Sequence, residues 1–450
     1  MTPAATPFAR RVAGVFVTRL LQFASTIAVA FLLARLLGPE GRGAYSLVLL
    51  LPSTLFALAQ LGLPSAVTYF AGSGRSMRSL VVIAVASTVA LTALLVPVAL
   101  AVLPALEEGV FQAAPADLLR LALLALPIQL GASLFGSILW GRQLVRRYTL
   151  ILAAQSIGSL VMVIVLVGMA GLGVFGALLG YLLVTGASAA AVILTVRRSG
   201  LAEEAEPVQR PPARPRELLG YGLRLYPASL TTFLSYRSDL FLLGLLLGDA
   251  GAIGLYTLAV SLAEIVFHVP DAIATILYPR VAGAQREEAD RIAPSISRFS
   301  LLVTILAAAA LIPTAIVAVL VILPDFAGSI DPFLVLVPGT IALSVSKVVS
   351  GYVSGLGRPL PVGIIAIVAL VANIVLNLVL IPPLGITGAA LASLISYGAH
   401  ALMMSAVASR LAHTSMGAFL LPGRAEAGLL VGRLRDLARG VRAGAARAGR

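Results

Sequence analysis

The chain is divided into apolar runs long enough to cross a bilayer, and this constrains its fold more than any motif does. A hydrocarbon core of about 30 Å takes about 20 apolar residues in helical form. Runs of that order fall at 12–36, 44–70, 79–103, 117–140, 148–169, 173–196, 218–248, 252–279, 299–323, 333–356, 360–382 and 385–410. In lipid every backbone N–H and C=O must be satisfied within the segment, so runs of this length are expected to be helices. Most tight connections carry Gly or Pro, as in "GPEGRG" (38–43) and "GDAGAIG" (248–254). The composition agrees: 59% of residues are hydrophobic and 11% charged, against about 25% charged in soluble domains. The expectation is an all-α integral membrane protein with 12 transmembrane helices.

The basic residues orient it. With the N-terminus inside, 25 of the 32 Lys and Arg fall in inner segments and the C-terminal tail. Three (Arg35, Arg42, Arg120) fall in outer loops and four (Arg19, Arg224, Arg237, Lys347) within spans. That asymmetry predicts both termini in the cytoplasm. It also accounts for the net charge of +13, so no nucleic-acid partner is expected. The absence of cysteine excludes disulfides and thiol chemistry. Three scattered histidines, His268, His400 and His413, make no metal site. No catalytic residue, metal or cofactor is expected. The start "MTPAATPFARR" lacks a small-residue cleavage site, so the first helix reads as retained.

An internal repeat organises the spans. "LLGPEGRGAYSL" (36–47) aligns with "LLGDAGAIGLYTL" (246–258) with one residue inserted, which pairs Tyr45 with Tyr256. "LGVFGALLGYL" (172–182) aligns with "LGITGAALASL" (384–394). Each half holds an even number of spans, so both enter the membrane the same way and the repeat is parallel. The expected domains are a six-helix lobe at 1–197, a polar, Pro-rich cytoplasmic linker at 198–217, a second six-helix lobe at 218–412 and a basic cytoplasmic tail at 413–450. Within the tail, Leu430, Leu434, Leu437 and Val441 share one helical face. It reads as an interfacial amphipathic helix on anionic inner-leaflet lipid, with a disordered basic tail as the alternative.

Three stretches carry a family resemblance: "ARLLGPEGRGAYSLVLLLPSTLFALAQLGLPSAVTYFAG" (34–72), "RLYPASLTTFLSYRSDLFLLG" (224–244) and "NIVLNLVLIPPLGITGAALASLISY" (373–397). They resemble the bacterial lipid-linked oligosaccharide flippases of the Wzx type. These form the polysaccharide-transporter branch of the multidrug/oligosaccharidyl-lipid/polysaccharide (MOP) exporter superfamily. The resemblance covers residues 8–412, and its motifs are Gly/Pro packing and turn features, which specify fold better than cargo. It implies two six-helix lobes around a central cavity in the bacterial plasma membrane. It also implies transfer of undecaprenyl-diphosphate-linked oligosaccharide from the inner to the outer leaflet by alternating access. A polysaccharide polymerase and glycosyltransferases are then expected partners. The alternatives are a cation-coupled multidrug exporter and a lipid II flippase. A membrane glycosyltransferase is disfavoured by the short outer loops.

Ionisable residues inside spans mark the candidate site. Arg237 and Asp239 cost about 5–7 kcal/mol together at mid-bilayer, and the six large apolar residues that follow return about 2–4. Their helix must therefore turn this stretch toward protein or water. Two residues apart, they point to nearly opposite sides and need separate partners. In the hairpin that turns near residue 250, Arg237 shares its depth with Glu264. Glu264, His268 and Asp271 recur on one helical face, and Pro270 should break that helix. Arg19, Arg224, Arg237 and Lys347 are expected to meet a diphosphate arriving from the inner leaflet. Asn373 and Asn377, one turn apart, are candidates for sugar contact or for interhelical hydrogen bonds. Asp239, Glu264, Asp271 and His268 are candidates for coupling to H⁺ or Na⁺. The structural alternatives stay open at this point: snorkelling for Arg19 and Arg224, a hairpin brace for Arg237–Glu264, a satisfied polar residue for His268 and a helix cap for Asp271.

Overall fold

The computed structural model describes residues 5–204, 211–267, 283–421 and, between the last two, 270, 271, 273, 274, 277 and 281. The side chains of 5–17, 19, 20 and 200–204 are outside that description, as is the tail beyond 421 with its expected amphipathic helix. The described chain is helical throughout its regular elements. In order these are α1 (Ala5–Ala59), α2 (Leu63–Gly72), α3 (Met77–Glu107), α4 (Ala116–Ala122), α5 (Ala125–Gly141) and α6 (Val145–Met162). A π-helical turn, Val163–Met169, extends α6, and α7 (Gly173–Glu204), α8 (Pro215–Leu246) and α9 (Ala250–Glu264) follow. Then come a 3₁₀ turn (Ile265–Phe267), α10 (Arg286–Ile322), a second 3₁₀ turn (Pro324–Ser329), α11 (Ile330–Gly355), α12 (Pro359–Leu411) and the short α13 (Gly417–Leu420).

Among the described residues nine helices are long and apolar enough to cross a membrane. Two of them, Leu21–Ala59 and Pro359–Leu411, contain an internal glycine outside helical geometry. Gly38 sits at φ 67° in α1 and Gly385 at φ 58° in α12. α8, expected as the seventh span, is long enough but too polar to stand among the nine. Its Arg237 and Asp239 interrupt an apolar run already diluted by Ser, Thr and Tyr.

The chain divides into two compact units, Met1–Leu258 and Ala259–Arg450. In the first, α2, α3, α5, α7 and α8 share a core that includes Leu63, Leu80, Phe135, Ile138, Val192 and Leu218. In the second, Leu277, Val345, Val348, Tyr352, Met404 and Phe419 form the core among α10, α11, α12 and α13.

The repeat is visible in the backbone. Gly38 and its counterpart Gly248 both take positive φ, 67° and 60°. So do Gly173 and its counterpart Gly385, at 55° and 58°. A side chain is strained in this region, so the same turn chemistry recurs where the same turn recurs. Repeat-equivalent residues also touch one another within the first unit. A Cβ on Gly43 would lie 1.8 Å from the Ala250 carbonyl oxygen, and one on Gly254 would lie 1.9 Å from that of Pro39. Only glycine lets the second limb of α1 and the start of α9 approach so closely. One turn on, the equivalent Ser46 and Thr257 meet at 3.4 Å between hydroxyl oxygens.

Three expectations are revised. The expected span 44–70 is broken at Leu61–Gly62, both at positive φ, and restarts as α2. Pro64 cannot donate a backbone hydrogen bond back to Gln60, and Gly62 lies so close to α8 that its Cβ would meet the Gly222 carbonyl oxygen at 2.0 Å. The expected linker begins as helix, because α7 continues to Glu204. Its last residues are fastened to the α2–α3 corner: Ser76 N donates to the Pro211 carbonyl at 2.9 Å and Ala213 N to Ser79 Oγ at 2.8 Å. Arg75 meets Glu217 at 3.1 Å. Finally, Arg42 is not in an outer loop but lies inside α1, with 6% of its surface exposed.

Candidate functional site

α8 carries three of the expected site residues. Its sequence alternates small and polar residues with apolar ones, and the buried side, Thr231, Ser238, Asp239, Leu240, Leu243 and Gly244, faces the rest of the first unit. Asp239 is 9% exposed. Its Oδ2 accepts the Tyr256 hydroxyl at 2.5 Å, and its Oδ1 accepts the Leu240 backbone N–H at 2.8 Å. Tyr256, 1% exposed, comes from α9, so this bond joins the two helices of a hairpin. Arg237 and Arg224 are exposed on the same helix. The i, i+2 spacing thus separates Arg237 from Asp239, as expected for residues on opposite sides of a helix. Glu264, at the end of α9, is half-buried and falls in the second unit, whereas Arg237 falls in the first. The Arg19 side chain and the whole of His268 are outside the described residues.

The break expected from Pro270 is present just before it. α9 stops at Glu264 and tightens to a 3₁₀ turn through Phe267, as expected where a proline cannot continue the i→i−4 ladder. Beyond it, in the second unit, Asp271 holds Lys347 of α11 at 2.7 Å. The same ammonium lies 4.2 Å from the centroid of the Phe267 ring, a cation–π placement. Lys347 is mostly covered while Asp271 is 55% exposed, so the pair sits at a boundary rather than in a core. Its neighbour Ser346 meets His400 Nδ1 at 2.6 Å.

Asn373 and Asn377 face inward on the first limb of α12, at 4% and 0% exposure. Asn373 Nδ2 donates to Ser396 Oγ at 3.0 Å, across the Gly385 kink, and Asn377 Nδ2 donates to Asn373 Oδ1 at 3.0 Å. The first bond joins the two limbs of α12 and the second lies within one limb.

Sequence reasoning missed Arg42. Its Nη1 donates to the Ala30 carbonyl at 2.6 Å and its Nε to Thr257 Oγ1 at 3.4 Å. It thereby ties the two limbs of α1 to each other and to α9. A signal was present in the repeat: the offset that pairs Tyr45 with Tyr256 sets Arg42 against Ile253, a residue with 0% exposure.

The comparisons with known proteins agree with this architecture. Residues 11–285 match the family described as polysaccharide biosynthesis protein. The structure resembles an inward-facing multidrug resistance MATE family transporter of the MOP superfamily, with TM-score 0.63 and 17% identity over 88% of this chain and 96% of that one. It resembles the lipid II flippase MurJ in an inward closed conformation, with TM-score 0.65 and 14% identity over 90% and 89%. It also resembles an outward-facing multidrug resistance MATE family transporter of the MOP superfamily, with TM-score 0.61 and 18% identity over 90% and 95%. Identities this low speak for a shared fold only. No curated protein matches the chain. With its apolar helices the chain is a multi-pass membrane protein that shares the fold of these transporters, and it belongs to the polysaccharide biosynthesis protein family.

Proposed function

We propose that this protein is a flippase that moves an undecaprenyl-diphosphate-linked oligosaccharide from the inner to the outer leaflet of the bacterial plasma membrane by alternating access. The observation that carries the reading is the family match over residues 11–285. The distribution of charge supports it. Arg224 and Arg237 are exposed along α8, available to an anionic headgroup, while the nearby Asp239 carboxylate is engaged by Tyr256. A carrier of cationic drugs needs an available carboxylate in place of these cations.

In this reading the chain has 12 spans in two six-helix lobes, with cytoplasmic termini. The glycine kinks in α1 and α12 and the polar helix α8 account for the expected spans beyond the nine apolar helices. Arg19, Arg224, Arg237 and Lys347 neutralise the diphosphate as it leaves water. Asn373 and Asn377 serve helix packing. Asp239, Glu264, Asp271 and His268 remain the candidates through which H⁺ or Na⁺ biases the two conformations, by binding one better than the other. The basic tail rests on anionic lipid, and a polymerase and glycosyltransferases supply and consume the cargo.

The test is complementation of a strain lacking its flippase. Arg237→Ala and Lys347→Ala proteins, present at normal levels, are expected to leave glycan on the inner leaflet. Full export by the double variant would overturn the charge requirement. Liposome transport indifferent to ion gradients and membrane potential would overturn the coupling role.

A further inference from the structure

A cleft of about 420 Å³ opens between α1 and α6 in the first unit, with five uncharged polar side chains among its seven lining residues. Gln22 and Thr26 stand one turn apart on α1, while Gln155, Ser156 and Ser159 share one face of α6; aliphatic Val29 and Leu152 complete the wall. No Lys, Arg, Asp, Glu or His is among these lining residues.

The hydrogen bonds already formed decide what each group still offers. Buried Ser188 of α7 donates to Gln155 Oε1 at 2.9 Å. The Gln155 amide is thereby held in one orientation, with its N–H₂ as the remaining donor. Gln22 Nε2 donates to the Thr149 carbonyl at 3.4 Å, which leaves its Oε1 as an acceptor. The hydroxyl protons of Thr26 and Ser156 go to the carbonyls four residues back, at 2.9 and 3.0 Å. Their lone pairs are the part presented outward. The cleft therefore offers a fixed amide donor beside several acceptors, all neutral, with two aliphatic side chains at hand.

That combination discriminates between ligand classes. An organic cation is best held by a carboxylate and a phosphate by a guanidinium or ammonium, and none of these lines the cleft. A sugar hydroxyl both donates and accepts, and the C–H face of a sugar ring is apolar. We propose that this cleft is a subsite for the uncharged, hydroxyl-rich glycan part of the cargo, separate from the cationic residues that meet the diphosphate. The inference rests on the flippase reading above and adds where the sugars are held.

The test uses the full chain in lipid nanodiscs and two probes: the lipid-linked glycan fraction extracted from cells that make this protein, and glycan-free undecaprenyl diphosphate. Wild type is expected to bind both, the glycosylated fraction more tightly. Gln155→Leu is expected to weaken binding of the glycosylated probe by about tenfold, the loss of one hydrogen bond, and to leave the glycan-free probe unchanged. Ser159→Ala, a single-hydroxyl deletion that keeps the helix, should show the same selectivity at smaller size. Equal losses for both probes, or no loss for either, would overturn the glycan subsite while leaving the flippase reading intact. A wild-type protein that binds neither probe would overturn the flippase reading itself, and the subsite with it.

Discussion

The Tyr256 hydroxyl donates to Asp239 Oδ2 across 2.5 Å, and this bond joins α8 to α9 where both side chains are almost fully covered. A buried carboxylate is tolerated when its oxygens are taken up, and here Oδ1 is also taken by the Leu240 N–H. Tyr256→Phe is therefore expected to destabilise the protein by about 1–3 kcal/mol, because it leaves Oδ2 short of a partner. Asp239→Leu combined with Tyr256→Phe should recover much of that loss, since replacing both partners removes the unmet bond. Thermal unfolding of the two single variants and the double one in detergent checks this, and additive losses would show that the pair is not coupled.

The contact between Ser46 and Thr257 predicts a cross-link. Their hydroxyl oxygens are 3.4 Å apart, and the chain has no cysteine of its own to compete. Ser46→Cys with Thr257→Cys should form a disulfide on mild oxidation, detectable in non-reduced peptides by mass spectrometry. Failure of the two cysteines to cross-link under these conditions would contradict the contact.

The close approach at Gly43 and Gly254 predicts a steric effect of the smallest kind. A methyl group at either position meets a backbone carbonyl oxygen, at 1.8 or 1.9 Å. Gly43→Ala and Gly254→Ala should each pry the helices apart and expose Thr257. A cysteine at 257 should then label with a membrane-impermeant maleimide several-fold faster than in the otherwise wild-type chain. Unchanged labelling would contradict the contact.

Arg42 should not be replaceable by lysine. Its guanidinium reaches the Ala30 carbonyl and Thr257 Oγ1 at once, by Nη1 and Nε. An ammonium is a single point donor group and cannot match that fork. Arg42→Lys and Arg42→Ala are both expected to lower stability by about 1–3 kcal/mol for lost charge-assisted bonds. Thermal unfolding in detergent checks this, and a lysine variant as stable as wild type would contradict the need for the fork.

Lys347 and Asp271 should behave differently from these buried groups. Their 2.7 Å pair is open on the Asp271 side, and such pairs contribute about 0–1 kcal/mol. Asp271→Asn should leave the unfolding midpoint almost unchanged, whereas on the proposed flippase reading Lys347→Met should remove glycan export without loss of protein. Export at the wild-type level by the Lys347→Met protein would overturn the role proposed for Lys347.

The membrane class, most span positions and the turn glycines are legible in the sequence because each depends on local properties. Hydropathy over about 20 residues decides whether a segment enters lipid. A repeated Gly at a turn decides its backbone region, as Gly173 and Gly385 do with the same sign of φ. Even the break at Leu61–Gly62 has its signal in "GLP". Asp239 is recognisable as a group that must face inward from its cost in lipid alone. Its partner is not, because no periodicity along one helix encodes which residue of another lies across from it. Tyr256 against Asp239, Thr257 against Arg42, and Ser188 against Gln155 each bring together two different helices. Which segments lipid accepts is written along the chain, one window at a time. How the polar groups that lipid rejects are satisfied is settled where helices pack, since only there do residues distant in sequence come within hydrogen-bond reach.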